Sequence, residues 1–338
     1  MDLNTAWFVL IAVLLAGYAV LDGFDLGVGV LHLFARGDHE RRLYLNAIGP
    51  VWDGNEVWLL TGGGAMFAAF PPVYAVVFSS FYLALVLLLV ALIFRAVAIE
   101  FRGKVASPGW RRAWDYGFGL GSLLPAILFG VAFGNVMRGL PLAPGGHYVG
   151  DFFDLLNPYA LLVGALSLTL FLMHGALYLA CKTDGELRAR MARVASGAWS
   201  AGVVLYVGVM VMTSLSAPHL FAHGFKRVLF WVLLIVILLA LIAIPWASKA
   251  AKFFRALSAS AVTIAAMLGL AATCLYPRLV PSTLLAADSL DIYNASSTPK
   301  ALTVILVIAL VGLPIVLLYT AWIYWTFRGQ TVITETSY

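Results

Sequence analysis

The sequence predicts an all-α, polytopic membrane protein. Hydrophobic residues make up 62% of its 338 residues and charged residues only 11%, whereas soluble domains carry about 25% charged residues. Apolar stretches of about 20 residues or more, the length that a helix needs to cross the hydrocarbon core, recur along the whole chain. A chain of this composition cannot cover a core with a polar shell, which excludes a soluble domain.

Nine apolar stretches are long enough to cross a membrane as helices, and the longer ones can cross at a tilt. The two longest outer connections between them, 139–157 and 277–300, contain Pro, Ser, Thr and Asn residues typical of turns. We expect Arg95 and Glu100 to lie at the end of the third span, outside its core. The predicted spans are residues 6–34, 51–70, 74–99, 116–138, 158–180, 195–215, 226–247, 257–276 and 301–327.

The distribution of Lys and Arg predicts the orientation. The connections after the first, third, fifth and seventh spans, with the span ends beside them and the C-terminal tail, hold 16 of the 21 Lys and Arg residues. Because these residues concentrate on the cytoplasmic side, we expect the N-terminus outside and the C-terminus in the cytoplasm. Orientation also explains the net charge of +5 better than nucleic-acid binding does.

The second span carries two acids inside an apolar stretch, Asp53 and Glu56, flanked by Trp52 and Trp58. Residues three apart share one helical face, and a charge within the bilayer costs about 2.5–3.5 kcal/mol on insertion scales. This face must therefore contact protein or water. A second interpretation makes Asp53 a helix cap, because acids are favoured at a helix N-terminus, but Glu56 is harder to explain in that way.

The first span repeats the pattern with Asp22 and Asp25, again on one face. Gly23 and Gly27 have the small-xxx-small spacing that lets a neighbouring helix approach closely. All four acids belong to the middle of the membrane or its cytoplasmic half. Two interpretations stay open, a path for protons and a set of hydrogen bonds between helices.

No residue pattern predicts a metal or haem site in this chain. His174 is the one histidine deep within an apolar span, and we expect it to be packed or hydrogen-bonded. His219 and His223 have helical spacing, but Pro218 and Gly224 beside them predict a loop. Cys181 and Cys274 fall on opposite sides of the predicted membrane, which argues against a disulfide between them.

Several motifs beyond the second span complete a pattern that resembles subunit II of cytochrome bd-type quinol oxidases. The match runs nearly end to end and is densest before residue 160. The matching motifs are Ile48–Pro71, Leu21-Asp22-Gly23-Phe24-Asp25-Leu26-Gly27-Val28-Gly29, Phe78-Ser79-Ser80-Phe81-Tyr82, Trp110–Asp115, Gly130-Val131-Ala132-Phe133-Gly134-Asn135, Leu156-Asn157-Pro158 and Leu318-Tyr319-Thr320-Ala321-Trp322.

The resemblance implies a role in a respiratory enzyme complex of the bacterial or archaeal plasma membrane. Such a complex oxidises quinol, reduces oxygen to water, takes protons from the cytoplasm and so contributes to proton motive force. Its two b haems and haem d are held by the partner, subunit I, so this chain alone is not expected to be catalytic. The family also allows a structural quinone in subunit II, small accessory subunits and bound membrane lipid.

The resemblance also assigns roles to residues and divides the chain. It places Asp53, and less firmly Asp25, on a proton route, and Trp58 on an oxygen route. Glu56 stands where relatives carry Gln, so it is the weakest proton-path candidate. We expect Asp22, Gly23, Gly27 and Trp52 to serve packing or interfaces. The implied units are a first four-helix bundle in 1–150 with outer loop 139–150, a second in 151–300, and a ninth, peripheral helix with its tail in 301–338.

Two other functions stay open from the residues alone. A proton-coupled secondary transporter would also place acids near the membrane centre, on helices interrupted by glycine. A purely structural scaffold subunit would use its acids only for helix packing.

Overall fold

The computed structural model describes residues 2–333 and is built almost entirely from helices. The α-helices within these residues are α1 Leu3–His32, α2 Gly37–Ile48, α3 Trp52–Ala69, α4 Pro71–Ser80, α5 Tyr82–Phe101, α6 Pro108–Arg138, α7 Pro158–Lys182, α8 Gly185–Ser216, α9 Pro218–Gly224, α10 Val228–Lys249, α11 Phe253–Leu275 and α12 Pro299–Thr326. Short 3-10 helices cover Arg102–Lys104, Phe153–Leu156 and Ala286–Asp288.

Two small β-hairpins lie at one end of the molecule, here called the hairpin end. Strand β1 (Leu142–Ala143) pairs with β2 (His147–Tyr148), and β3 (Arg278–Val280) pairs with β4 (Leu290–Asp291), both antiparallel. A backbone bridge between Leu140 and Ser282 joins the two connections that carry them. The opposite end carries α2 and many Arg side chains, and is called the basic end.

The prediction of an all-α, polytopic membrane protein is confirmed. Within residues 2–333, eight helices are long and apolar enough to cross a membrane: α1, α5 with the 3-10 turn after it, α6, α7, α8, α10, α11 and α12. Helix α3, the predicted second span, is not among them; it has only 18 residues, and Asp53, Asn55 and Glu56 crowd its start. A ninth span therefore stays a prediction, as does the division of the chain near residues 150 and 300.

Three local predictions were wrong. The third span, 74–99, is divided between α4 and α5. At the break, the Ser79 hydroxyl donates to the carbonyl of Val76, and this bond competes with the backbone hydrogen bonds of the helix. The Phe81 side chain turns into the core at the same point. The predicted connection after the first span contains α2. Residues Pro218–Gly224 form the short helix α9 and not a loop, because Pro at the first position is well suited to begin a helix.

Helix α1 lies at the centre of the packing, against α3, α6, α7 and α11. Its closest approach is to α7, where Gly27 faces Gly175. A methyl group on Gly27 would lie 1.9 Å from the backbone oxygen of Phe171, and one on Gly175 would lie 2.6 Å from the backbone nitrogen of Val28. Gly23 meets the ring of Phe171 in the same way. The two helices thus touch backbone to backbone, as the small-residue spacing allows.

An ion-pair cluster fixes α2 to the basic end. Asp115 of α6 bonds to His32 at 2.7 Å, to Arg102 at 2.5 Å and to Arg41 of α2 at 2.8 Å. Arg102 also reaches Asp38 of α2 at 2.6 Å. Burial alone would raise the pKa of Asp38, but the hydrogen bond and charge of Arg102 hold it below its ordinary value of 3.8. One buried carboxylate thereby connects three helices.

Replacing Gly27 with Ala should destabilise the protein, since the added methyl group meets backbone and not a movable side chain. Overpacking of this kind typically costs about 1–3 kcal/mol. The thermal unfolding midpoint of the purified complex should fall, and its yield with it. Gly312→Ala is the matched control, because nothing lies within 4 Å of that position. Equal midpoints in the two variants would show that α1 and α7 are not tightly packed.

Asp38→Asn should lower stability at neutral pH by up to about 1 kcal/mol, as expected for a partly exposed ion pair. The pKa of Asp38 is lowered in the folded protein, so its contribution is present above the ordinary value of 3.8 and is lost as pH falls through the folded value. The difference from the wild-type unfolding midpoint should therefore vanish in acid. Glu186→Gln, in an exposed pair with Arg36, is the control. A difference that persists unchanged in acid would exclude the ionic origin.

Candidate functional site

A fully buried ion pair joins α1 to α5. The two terminal guanidinium nitrogens of Arg95 donate to the two carboxylate oxygens of Asp22, at 2.8 and 2.5 Å, and both side chains are 0% exposed. The expectation that Arg95 lies at the end of its span was wrong. It lies inside α5, six residues before its last residue, and the charge is tolerated there because Asp22 compensates it. Glu100, in contrast, is exposed in the last turn.

Glu56 extends this cluster to α3. One of its carboxylate oxygens lies 3.2 Å from a guanidinium nitrogen of Arg95, and its side chain is 24% exposed. The contact has the distance of an ion pair but not the geometry of a hydrogen bond, and this oxygen has no hydrogen-bond partner among the described residues. Arg95 therefore faces acids from two helices, and holds Asp22 much more firmly than Glu56.

Asp25 lies one helical turn from Asp22 but has a different environment. It is fully buried, and its Oδ2 accepts a 2.7 Å hydrogen bond from the side-chain amide of Asn55. The same amide donates to the carbonyl of Leu21 at 3.1 Å, while the amide oxygen accepts from the hydroxyl of Tyr324 at 3.0 Å. The Oδ1 atom of Asp25 has no partner in the part of the chain that the structure describes. Asp25 is thus a buried carboxyl group without a cation bonded to it.

Asp53 lies in the first turn of α3, close to the basic end, with an exposed side chain. The N-cap of α3 is Val51, and no side chain caps this helix, so the capping interpretation of Asp53 has no hydrogen bond to support it. Gly54 and Gly64 are likewise open, with nothing within 4 Å of an added methyl group. Together with Val57 and Phe67 they form an exposed face of α3, which presents one acid, small residues and apolar side chains.

The two tryptophans of α3 are held by packing. Trp58 is buried, and its ring lies directly over Gly17 of α1, where an added methyl group would come within 2.4 Å of it. Its indole N–H has no hydrogen-bond partner within residues 2–333. Trp52 is partly buried and packs against the core around α2 and α7.

His174, the histidine predicted to be packed or hydrogen-bonded, has no ring nitrogen free for a haem iron. Both ring nitrogens of His174 are engaged, Nδ1 with the hydroxyl of Ser260 at 2.9 Å and Nε2 with the carbonyl of Val20 at 3.0 Å. No group of three or more His, Cys, Asp or Glu side chains in residues 2–333 is arranged to hold a metal ion. Cys181 and Cys274 are free thiols. His174 therefore acts as a hydrogen-bonded bridge among α7, α1 and α11.

Sequence reasoning identified the acids of the cluster but missed three residues that hold them: Arg95 as a partner, Asn55 and Tyr324. The signal for Arg95 was available, since a lone cation in an apolar stretch calls for a buried acid. Asn55 stands between the two acids of α3 and gave a weaker signal. Tyr324 is 269 residues from Asn55, and no local pattern connects them.

Comparison with known proteins identifies the family of the chain. The family described as cytochrome bd terminal oxidase subunit II matches residues 3–327. Cytochrome bd-I ubiquinol oxidase subunit 2 of Escherichia coli (strain K12) is 38% identical over 360 residues, covering 97% of this chain and 95% of the relative. The corresponding subunit 2 of Bacillus subtilis (strain 168) is 37% identical over 332 residues, covering 97% of each chain.

The fold is shared with a solved bd oxidase from Geobacillus thermodenitrificans. The TM-score is 0.78 at 18% identity, over 97% of this chain and 99% of the other. These matches confirm the main prediction, a subunit of an oxidoreductase complex in a bacterial respiratory membrane, and lend no support to a transporter or a scaffold. The complex contains haem and includes subunit I. The chain belongs to the cytochrome bd terminal oxidase subunit II family.

Proposed function

We propose that this chain supplies a route for proton uptake in a quinol:oxygen oxidoreductase, with Asp53 as the entry group and Asp25 as an inner carrier. The observation that carries the proposal is the buried carboxyl group of Asp25, which has one free oxygen and no bonded cation. A carboxyl group kept in an apolar interior without an ion-pair partner is costly, and in membrane proteins such groups commonly belong to proton relays.

Further buried polar atoms surround the junction of α1, α3 and α5. Buried polar atoms without a protein partner are positions to which ordered water molecules bond, and a chain of water between acids can pass protons where an apolar interior cannot. The atoms without a hydrogen-bond partner in the described residues are Tyr18 Oη, Asp25 Oδ1, Glu56 Oε1, Trp58 Nε1 and Arg95 Nε.

The two acids of α1 have separate roles in this proposal. Asp22 is committed to its bidentate pair with Arg95, which fixes α1 against α5 and leaves no carboxylate oxygen free. Asp25 is bonded only to a neutral amide, so it can take up and release a proton without breaking an ion pair. Glu56, which lies within ion-pair distance of Arg95, has an intermediate position and stays the weakest candidate.

The exposed face of α3 is proposed to contact subunit I. A charged side chain that faces lipid is unfavourable, so Asp53 requires protein or water beside it, and the open glycines of this face permit close approach of another helix. The basic end is assigned to the cytoplasm from its Arg and Lys residues, which places the N-terminus outside and the C-terminus inside. Asp53 then stands where substrate protons enter.

Subunit I is proposed to hold both b haems and haem d, the site of oxygen reduction, because His174 has no nitrogen free for iron. The oxygen route beside Trp58, a structural quinone, accessory subunits and bound lipid stay predictions. The buried ring of Trp58 over Gly17 is compatible with an apolar route at that point.

Asp53→Asn should slow quinol oxidation by roughly 10- to 100-fold, at or below the low end of the range for a positioned proton-transfer group. The amide has nearly the same size but cannot carry a proton. Asp53→Glu should retain more activity. The measurements are oxygen consumption and flash-initiated proton uptake in the complete complex, with haem content as the control for assembly. Full activity in Asp53→Asn, at normal haem content, would remove Asp53 from the route.

Asp22→Asn and Asp25→Asn should differ in kind. The first leaves Arg95 buried without its main counter-charge, a loss that typically costs about 3–5 kcal/mol, so the yield of assembled complex should collapse. The second removes no ion pair, so the complex should assemble but oxidise quinol slowly. Yield and turnover, measured on the same preparations, separate the two effects. If Asp25→Asn abolished assembly and Asp22→Asn slowed only turnover, Asp25 would be the structural acid and Asp22 the proton carrier.

A further inference from the structure

We propose that Asn55 and Tyr324 are positioning residues that determine which oxygen atom of Asp25 exchanges protons. This inference rests on the proposed function of Asp25 as a carrier. Neither residue is assigned a part in the proton route itself. They act through Asp25, from two other helices.

The geometry is a chain of side chains across α12, α3 and α1. The phenol hydroxyl of Tyr324 donates to Asn55 Oδ1 at 3.0 Å, and Asn55 Nδ2 donates to Asp25 Oδ2 at 2.7 Å. The second N–H of the same amide is directed to the carbonyl of Leu21, at 3.1 Å. Asn55 is buried, and every polar atom of its side chain has a partner.

These contacts allow one orientation of the amide. A carboxylate and a carbonyl oxygen can only accept hydrogen bonds, so the side of Asn55 that faces Asp25 and Leu21 must be its NH₂ group. The opposite side must be its oxygen, and the hydroxyl of Tyr324 is the donor that satisfies it. Without this hydroxyl the buried amide oxygen would lose its hydrogen bond, which is unfavourable for a buried polar group. The amide would then be held only by its N–H bonds to Asp25 and Leu21, and its position beside Asp25 would be less fixed.

The consequence for Asp25 is an asymmetry between its two oxygens. Oδ2 is occupied by the amide, while Oδ1 has no partner within residues 2–333. A proton arriving at Asp25 therefore binds at Oδ1, the buried oxygen that has no hydrogen-bond partner within residues 2–333. If the amide rotated, Oδ2 would be released and the proton would no longer have a defined position.

Helix α12 is well placed to hold Tyr324 steadily. Most of this helix is exposed, and Leu302 is its one fully buried residue in the described part of the chain. Tyr324 points inward, with its ring edge-on to Phe24 at 6.4 Å between centroids. One turn later, Lys182 donates to the carbonyl of Phe327 at 2.6 Å, which ties the end of α12 to the end of α7. The ring of Tyr324 is thus held by packing against Phe24, and the helix end that carries it is held by the Lys182 hydrogen bond.

The test is infrared difference spectroscopy of the complete oxidase complex, reduced minus oxidised, in Tyr324→Phe. The substitution removes one hydroxyl and keeps the ring that packs on Phe24. The signal of Asp25 is first identified as the carboxyl or carboxylate band that is absent in Asp25→Asn. We expect Tyr324→Phe to displace this band and to slow quinol oxidation several-fold. The matched control is Tyr319→Phe, an exposed tyrosine of the same helix, which should change neither.

Asn55→Ala provides a second variant, which removes the amide N–H that donates to Asp25 Oδ2. It should displace the Asp25 band in the same direction as Tyr324→Phe does. If one of the two variants assembles poorly, the band of the other still provides the test. An undisplaced band in an assembled variant, or opposite displacements in the two, would overturn the positioning role. Failure of the proposed function has a different signature: Asp25→Asn would then lose no band and turn over at the wild-type rate.

Discussion

The buried pair between Asp22 and Arg95 is the interaction on which the functional region depends. In the apolar interior of a membrane protein neither charge could persist alone. Together they form a fixed bridge between α1 and α5, and Glu56 brings α3 to the same guanidinium group. Once this bridge is made, Asp25 one turn further along α1 is held in place, without a bonded cation of its own. The separation of a structural acid from a titrating one follows from where a single arginine lies.

Helix α1 can carry this region because its other faces are fixed by different means. Toward α7 it makes contact through Gly27 and Gly175, backbone to backbone. At its last residue, His32 joins the cluster around Asp115 that also holds α2. Close packing, hydrogen bonds and ion pairs thus each restrain one part of the same helix. The acids along it have little freedom to move, which suits groups that must keep fixed distances from their neighbours.

Much of this architecture was predictable, since a membrane restricts the chain to helices of known minimum length. Eight of the apolar stretches predicted helices that are long and apolar enough to cross a membrane, and the remaining one predicted α3. The acids of α1 and α3 predicted where the unusual region lies. Spacing alone could not predict the break at Phe81, which depends on a local hydroxyl contact and on burial of one ring. Helix α2 was missed because its apolar residues are few and its stability comes from ion pairs with distant segments.

The partners of the acids were the least predictable part, because they depend on which helices become neighbours. The contact between Tyr324 and Asn55 spans nearly the whole chain. This has a consequence for synthesis. Helices α1 and α3 emerge from the ribosome long before α12 is made, so the surroundings of Asp25 stay incomplete until α12 is present. A chain terminated ahead of α12 would contain both acids of α1, and Arg95 as well, yet lack the hydroxyl that orients Asn55. The environment of Asp25 is therefore complete only after α12 has been synthesised and has packed against α3.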